Sequence, residues 1–456
     1  MLSESLSFSP PGVKKQKGLG LVLLSSTVFL VGCNLFPLAA PCSIDANCPQ
    51  SAPICISRVC VAEEPKEELD DGGPAPSDGG ESSDAGTTDG GPAPSDGGEP
   101  NDAGVVRFPY DAANVDESQF TLSAVVDLTG CTTAILDVDN LNMSRFIGCT
   151  PALSQNSVVE VSEANDLRVL AMRSLHIPEG VRLQVVGENA LAFLVSEDVT
   201  LAGVLDVRGM GTSAGPGGRT NCGNGNGGAG TTGSSNSERC SGGGGGGFGG
   251  DGEEGGKGDN GATEPGSKGV VNGNDILQPL RGGCAGGTGG GPQGGIGGGG
   301  GGAVQLSVGG TLDLTGTILA GGGGGGAAQT RQGGGGGGSG GGILLEANTV
   351  NGDGNLFANG GGGGSGGGKD EGNVGAPGAD ALDENGGNGG NGDGNGPSSG
   401  GDGGGGASNN SGAGKGELRR YGGGGGGGGV GRILVKGHEN CSFNLNSSPS
   451  ALLDCP

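Results

Sequence analysis

Apolar and polar positions alternate along this chain in a pattern that returns at a fixed distance. Phe193, Val195, Val199, Leu201, Leu205 and Val207 have counterparts 113 residues later at Leu306, Val308, Leu312, Leu314, Ile318 and Ala320, with no gap. Every spacing within the set is even, which is the two-residue period of a β-strand. The six side chains are therefore predicted to share one face, with Ser196, Thr200 and Asp206 on the other. Glu197 and Gly203, or Gly310 and Gly316, fill the intervening inward positions and suit corners. A third copy, one residue shorter, runs through Leu345, Ala347, Val350, Gly352, Leu356 and Ala358, and a partial fourth through Ile433, Val435, Phe443 and Leu445. Upstream, Ile177, Val181, Leu183 and Val185 add one more alternating stretch. Short strands with corners, each followed by a Gly-rich excursion, predict an all-β fold, a parallel β-solenoid, because no single rung buries its apolar face alone. The alternative is an antiparallel β-sandwich with disordered Gly loops, in which Gly309-Gly310 turns a hairpin between residues 303–308 and 311–315. The matching pair in the first copy, Glu197-Asp198, is a poor primed turn, which favours the solenoid.

Composition changes the picture next. Of 456 residues 118 are Gly, 10 are Phe, 2 are Tyr and none is Trp, so a conventional large core is excluded. The glycines come in consecutive runs rather than at every third position, which excludes collagen. Tracts lie at 242–250, 285–302, 321–326, 333–342, 360–368 and 422–429, in phase with the strand copies and flanked by apolar words such as Ile343-Leu344-Leu345. Freezing Gly costs about 1–2 kcal/mol of backbone entropy per residue, which favours disorder. An ordered alternative is a set of extended helices of three residues per turn, packed side by side, where only Gly permits contact on every side. On this composition and spacing, residues 209–436 resemble the glycine-rich adhesive tips of phage tail fibres and glycine-rich bacterial surface proteins. The resemblance implies packed polyglycine II tracts in layers and transfers no binding residue.

At the N-terminus, Lys14, Lys15 and Lys17 precede an apolar run from Leu19 to Val31, too short to span a bilayer comfortably, which reads as an export signal over 1–32. Its end, Leu30-Val31-Gly32-Cys33, resembles the lipobox of bacterial lipoproteins. That resemblance implies cleavage after Gly32, lipid attachment at Cys33 and a membrane partner reached through the lipid. Asn34 in place of Asp implies sorting to the outer membrane, with the body exposed to periplasm or cell surface. Two or three acyl chains on one residue anchor stably where one does not. Residues 33–61 then form the anchor and a small Cys-rich module. Residues 62–106, with the acidic string of 71–81 repeated at 89–99, form a disordered Gly/Pro/Ser linker. A linker of that length spans ~40 Å as a flexible coil. Residues 107–208 open the solenoid and 209–456 hold the Gly-rich domain.

Twelve cysteines with no Cys-x-x-Cys spacing argue for disulfides in an oxidising compartment. Cys42, Cys48, Cys55 and Cys60 lie in a stretch resembling the small Cys-rich modules that follow lipoboxes, and their pairing stays open among three arrangements. Cys131 with Cys149, and Cys441 with Cys455, are candidate bridges. Cys222, Cys240 and Cys284 are left unassigned, and one of them is free or pairs outside this scheme.

The formal charge of -26 argues against a nucleic-acid partner. His176 and His438 are the two histidines: the first reads as structural between apolar neighbours, the second as a solvated loop residue after the last rung. Dinucleotide, phosphate-loop and calcium-nonapeptide motifs are present only as fragments, so no cofactor is expected, with Ca²⁺ the one candidate. Asp206 aligns with Leu319 and Asp313 with Thr200, so no carboxylate row recurs for glycan cleavage. The expected role is a non-catalytic structural or adhesive surface lipoprotein whose unknown glycan or protein ligand meets loops carrying Arg331, Lys369, Arg419, Arg420 and Tyr421. The alternatives are a carbohydrate-binding or polysaccharide-degrading β-helix protein and a calcium-dependent structural protein.

Overall fold

The computed structural model describes residues 54–56 and 59–61, then 108–120, 122, 124–139, 148–149, 166–219, 221–233, 239–258, 263–370, 372–392, 400–409 and 411–456. The export segment 1–32, Cys33, Cys42, Cys48 and the linker 62–106 lie outside the described residues. The chain divides into two units, Met1–Glu67 and Glu68–Pro456. In the first, β1 (Ile54–Ile56) and β2 (Val59–Val61) pair antiparallel with Cys55 opposite Cys60.

The second unit takes its first strands from residues 125–206: β3 (Val125–Asp127), β4 (Thr133–Asp137), β5 (Leu167–Met172), β6 (Ser174–Ile177), β7 (Arg182–Val186), β8 (Ala190–Val195), β9 (Val199–Leu201) and β10 (Val204–Asp206). After a long Gly-rich excursion come β11 (Ala303–Leu314), β12 (Thr317–Leu319), β13 (Gly342–Gly352), β14 (Asn355–Phe357), β15 (Arg432–Phe443), β16 (Asn446–Ser448) and β17 (Leu452–Asp454). Among the described residues there is no α-helix. One sheet runs β16-β14-β12-β10-β7-β4 and the other β17-β15-β13-β11-β9-β6-β3, with β8 beside β11 and β5 beside β8. Every ladder between these strands is parallel.

The pairing register is the sequence repeat. Leu306 lies opposite Phe193, Val308 opposite Val195, Leu312 opposite Val199, Leu314 opposite Leu201 and Ile318 opposite Leu205. The third copy follows with Leu345, Ala347 and Val350, its missing residue absorbed in an irregularity at Val308/Thr311. These side chains form one core between the two sheets, almost all fully enclosed. Gly309 and Gly310 sit inside β11 rather than at a turn, where Gly310 N–H donates to Glu197 O at 3.0 Å and Thr311 N–H to Asp198 Oδ1 at 2.7 Å. The antiparallel hairpin alternative is thereby overturned. At the corners Gly203, Gly316 and Gly354 stack in a column, and a Cβ on any of them would strike a backbone carbonyl of the neighbouring segment.

A second apolar layer covers the outer side of the larger sheet, where the alternation predicts solvent. β8 is buried at all six residues, so its outward Ala190, Ala192 and Leu194 need a cover. Phe108, Ala112, Ala113, Val115, Phe120 and Leu122 supply it from the arm preceding β3, together with Phe248, Leu277 and Leu280 from the excursion. Asp206, also assigned outward, is enclosed and held by Arg182 Nη2 at 2.6 Å and Arg208 Nε at 3.3 Å. Residues 107–208 and 209–456 are joined by the β8–β11 and β9–β11 ladders into one unit.

Candidate functional site

Local backbone chemistry in the Gly tracts sets where the loops end up. In 422–429, Gly422, Gly425 and Gly428 donate their N–H groups to Gly367, Gly364 and Gly361; Gly423, Gly426 and Gly429 donate to Cys240, Gly243 and Gly246; Gly424 and Gly427 donate to Glu417 and Gly414. The carbonyls repeat the pattern, those of residues 422, 425 and 428 accepting from Gly401, Gly404 and Ala407, those of 423, 426 and 429 from Gly334, Gly337 and Gly340, and those of 424 and 427 from Gly256 and Glu253. The bonds are 2.7–3.1 Å long, and every third residue addresses the same neighbour. Such a period requires three residues per turn and gives each segment six neighbours. Residues 242–247, 333–339 and 360–366 bond in the same way. Apart from Gly291, no glycine in the six tracts has a positive φ, so Gly is needed for closeness rather than for a left-handed backbone.

Tracts 295–302, 333–341 and 422–431 run into β11, β13 and β15, whereas 320–328 and 358–368 leave β12 and β14 in the opposite direction. Turns remote from the strands therefore gather at one end. Arg331, Lys369, Arg419, Arg420 and Tyr421 all lie on that end. Arg331 donates its N–H to Gly368 O at 2.9 Å and Nε to Lys369 O at 3.0 Å, while its own carbonyl accepts from Cys240 N–H at 3.1 Å. Arg239 and Arg420 approach the Tyr421 ring at 5.6 and 5.8 Å. Arg419 N–H reaches Lys257 O at 3.1 Å and its Nη2 pairs with Glu417 at 2.8 Å. Tyr421 is buried, so this ring fixes the two guanidiniums instead of meeting solvent as a loop residue would. Among the described residues, Arg331, Lys369 and Arg420 join no ion pair with a carboxylate. Ile296, Val374 and Leu418 stand exposed on the same end.

The sulfur chemistry is explicit for six cysteines. Cys131 is bridged to Cys149, Cys441 to Cys455 and Cys222 to Cys284. Cys240 lies outside these bridges, buried, with its Sγ 3.8 Å from Gln332 Oε1. Cys55 and Cys60 are described by backbone alone.

His176 Nδ1 is 3.0 Å from Asp127 Oδ1, and the same oxygen accepts from Thr129 Oγ1 at 2.7 Å. The carboxylate stands between hydroxyl and imidazole, so the ring is not placed to take the hydroxyl proton. The Thr129 hydrogen bonds, with smaller help from His176, hold the Asp127 carboxyl below the usual range. His438 is not in a loop: it belongs to β15 and stacks on Tyr110 with ring centroids 3.8 Å apart. Its side chain stays exposed, as a solvated residue would, and the partial desolvation it undergoes lowers its pKa. Asp206 faces Leu319 and Asp313 faces Thr200 across the ladders. Among the described residues no group of three or more His, Cys, Asp or Glu is placed to hold a metal, and no helix is long and apolar enough to cross a membrane.

One polar cluster escapes sequence reasoning. Glu346, fully enclosed on the outer side of β13, accepts from Ala113 N–H at 2.9 Å, Ser307 Oγ at 3.1 Å and Lys436 Nζ at 2.9 Å. Tyr110 Oη donates towards Glu346 O (2.9 Å) or Val308 O (3.0 Å) and accepts from Val308 N–H at 2.8 Å. Burial, then the Glu346 charge, pushes the Tyr110 phenol far up. Gln305 Nε2 donates to Ala113 O and Asn114 Nδ2 to Leu277 O, the latter at 3.0 Å. This cluster straps the arm across β11, β13 and β15. Its one sequence signal is polar Gln305, Ser307 and Glu346 at outward positions of strongly apolar strands. Comparison with known proteins is silent: no protein-family model, curated protein or solved structure matches the chain.

Proposed function

We propose that this chain is a lipid-anchored bacterial surface protein with a structural or adhesive role. In this reading the parallel strands are rungs of a β-solenoid that continue directly into a bundle of polyglycine II helices. The observation that carries it is the threefold hydrogen bonding of the tracts, each inner segment bonded to six neighbours. A bundle of that kind has almost no side-chain freedom to lose and holds its loops at fixed separations, which is what a passive binding surface needs. Cations grouped at the loop end supply contact points on a chain whose formal charge is -26. Lipid at Cys33 and the acidic linker would let the body stand clear of the membrane.

Two measurements test the proposal. Cys33→Ser should leave the chain soluble or unprocessed in the exporting cell; a variant still membrane-bound after high-salt and carbonate washing contradicts the anchor. Purified protein should bind a surface polysaccharide or a cell envelope without releasing reducing-end or unsaturated products, and turnover would contradict the passive role.

A further inference from the structure

The excursion between β10 and β11 closes a small cavity on the side of the unit away from the loop end. Phe248, Gly273, Asn274, Leu277, Pro279 and Arg281 line it, and it holds about 60 Å³. At roughly 15 Å³ of such space for each water, this is room for about four waters or for one oxyanion, far below the ~300 Å³ that a whole ligand occupies.

The guanidinium of Arg281 is its distinguishing group. Among the described residues, three arginine Nε atoms, those of Arg208, Arg281 and Arg419, are enclosed and without a hydrogen-bond acceptor. Arg208 and Arg419 are nevertheless neutralised, by Asp206 at 3.3 Å and Glu417 at 2.8 Å. Arg281 has no carboxylate among the described residues. Asp275, in the same loop, is taken by Arg432 Nε at 3.0 Å. Arg281 is half-buried with its Nε enclosed, and a guanidinium left without a carboxylate beside an apolar wall is a ready partner for an anion that accepts in the plane of the fork.

The surroundings favour such a ligand. Phe248, Leu277 and Pro279 make an apolar wall, which strengthens the attraction between a guanidinium and an anion relative to open water. Several contacts fix the frame. Gln278 N–H donates to Asn274 Oδ1 at 3.1 Å, Leu280 N–H to Asn114 Oδ1 at 3.2 Å, and Asn114 Nδ2 to Leu277 O at 3.0 Å. Behind the cavity, the Arg432 guanidinium lies over the Phe248 ring at 4.8 Å.

We propose that this cavity is an oxyanion-binding pocket in which Arg281 receives a carboxylate- or sulfate-sized group. Its size admits the charged group alone, so the source is either a free small anion or the substituent of an acidic glycan whose ring stays outside.

The test is calorimetric titration of the full mature chain at constant ionic strength with acetate, sulfate and a digalacturonate. It is repeated with Arg281→Gln, Arg281→Lys and, as a surface control, Arg420→Gln. The proposal predicts saturable binding of at least one of these anions, weakened tenfold or more in Arg281→Gln, less so in Arg281→Lys and unchanged in Arg420→Gln. Tighter binding of the uronide than of acetate identifies a glycan substituent; the reverse identifies a free anion. Should Arg281→Gln fold poorly, the Arg281 Nε–H resonance of the unaltered protein provides the second readout, moving saturably with the same anion. No saturable heat from any of the three anions, with no movement of that resonance, would overturn the proposal and leave a pocket of water.

Discussion

Gly425→Ala isolates what the Gly tracts require. Gly425 N–H donates to Gly364 O at 2.8 Å and its carbonyl accepts from Gly404 N–H at 2.8 Å, while a Cβ would run into the Gly335 carbonyl of a third segment. That neighbour is backbone, so no flexible side chain can move aside. Relief requires shifting the 333–339 segment by about 1 Å in an interior packed like a crystal. Gly335 is itself bonded, donating to Gly326 O at 3.0 Å and accepting from Gly364 N–H at 2.8 Å. Overpacking costs about 1–3 kcal/mol and two weakened hydrogen bonds about 1 kcal/mol each. Against this, Ala restricts the unfolded chain and returns about 0.4–1 kcal/mol. The net expectation is a loss of about 3 kcal/mol, or roughly 6 °C in Tm at about 2 °C per kcal/mol for a large unit. Gly412→Ala is the matched control, because nothing lies within 4 Å of its Cβ position and its φ is not positive, so it should stabilise slightly. Scanning calorimetry of both variants decides. If Gly425→Ala melts at or above the parent, as Gly412→Ala should, the close-packed account is refuted.

Three further outcomes follow from the same structure. The Cys222–Cys284 bridge closes a separation of 62 residues, so replacing both cysteines by Ser should cost about 4 kcal/mol by loop entropy, read by denaturant melts with and without reductant. Glu346→Gln strands the largely buried Lys436 ammonium and loosens the arm; a loss of about 2–3 kcal/mol is expected, together with faster proteolysis within 108–122. Partial desolvation of the exposed His438 lowers its pKa in the folded state, so the folded chain binds fewer protons than the unfolded one just below pH 6.5. Stability should fall as pH drops through the unfolded value and level off below the folded one, and His438→Phe should flatten the Tm profile between pH 7.5 and 5.5.

Much of the strand register was legible in the sequence because stacking preserves it. A parallel ladder keeps each inward side chain over its equivalent, so the distance from Phe193 to Leu306 is read directly as pairing. Corner glycines were legible for the same reason, since Gly203 and Gly316 recur at matching places. The covered outer face was not. Ala190, Ala192 and Leu194 look like part of an apolar run, and the aromatic arm that buries them begins some 80 residues upstream, with no periodicity linking the two. His438 was misplaced because Gly437 and the charged residues after it look like a loop, whereas β15 continues through them on main-chain bonds to β13. The gathering of Arg331, Lys369, Arg419, Arg420 and Tyr421 at one end depends on the direction of each tract, which glycine alone does not encode.

Amide hydrogen exchange across the Gly tracts tests the central claim most directly. Residues 242–247, 333–339 and 423–428 should be protected to a degree comparable with Ala303–Val308 in the sheet, because each N–H is bonded to a neighbouring segment. Exchange of those glycines at the rate of a free peptide, while the strands stay protected, would contradict it.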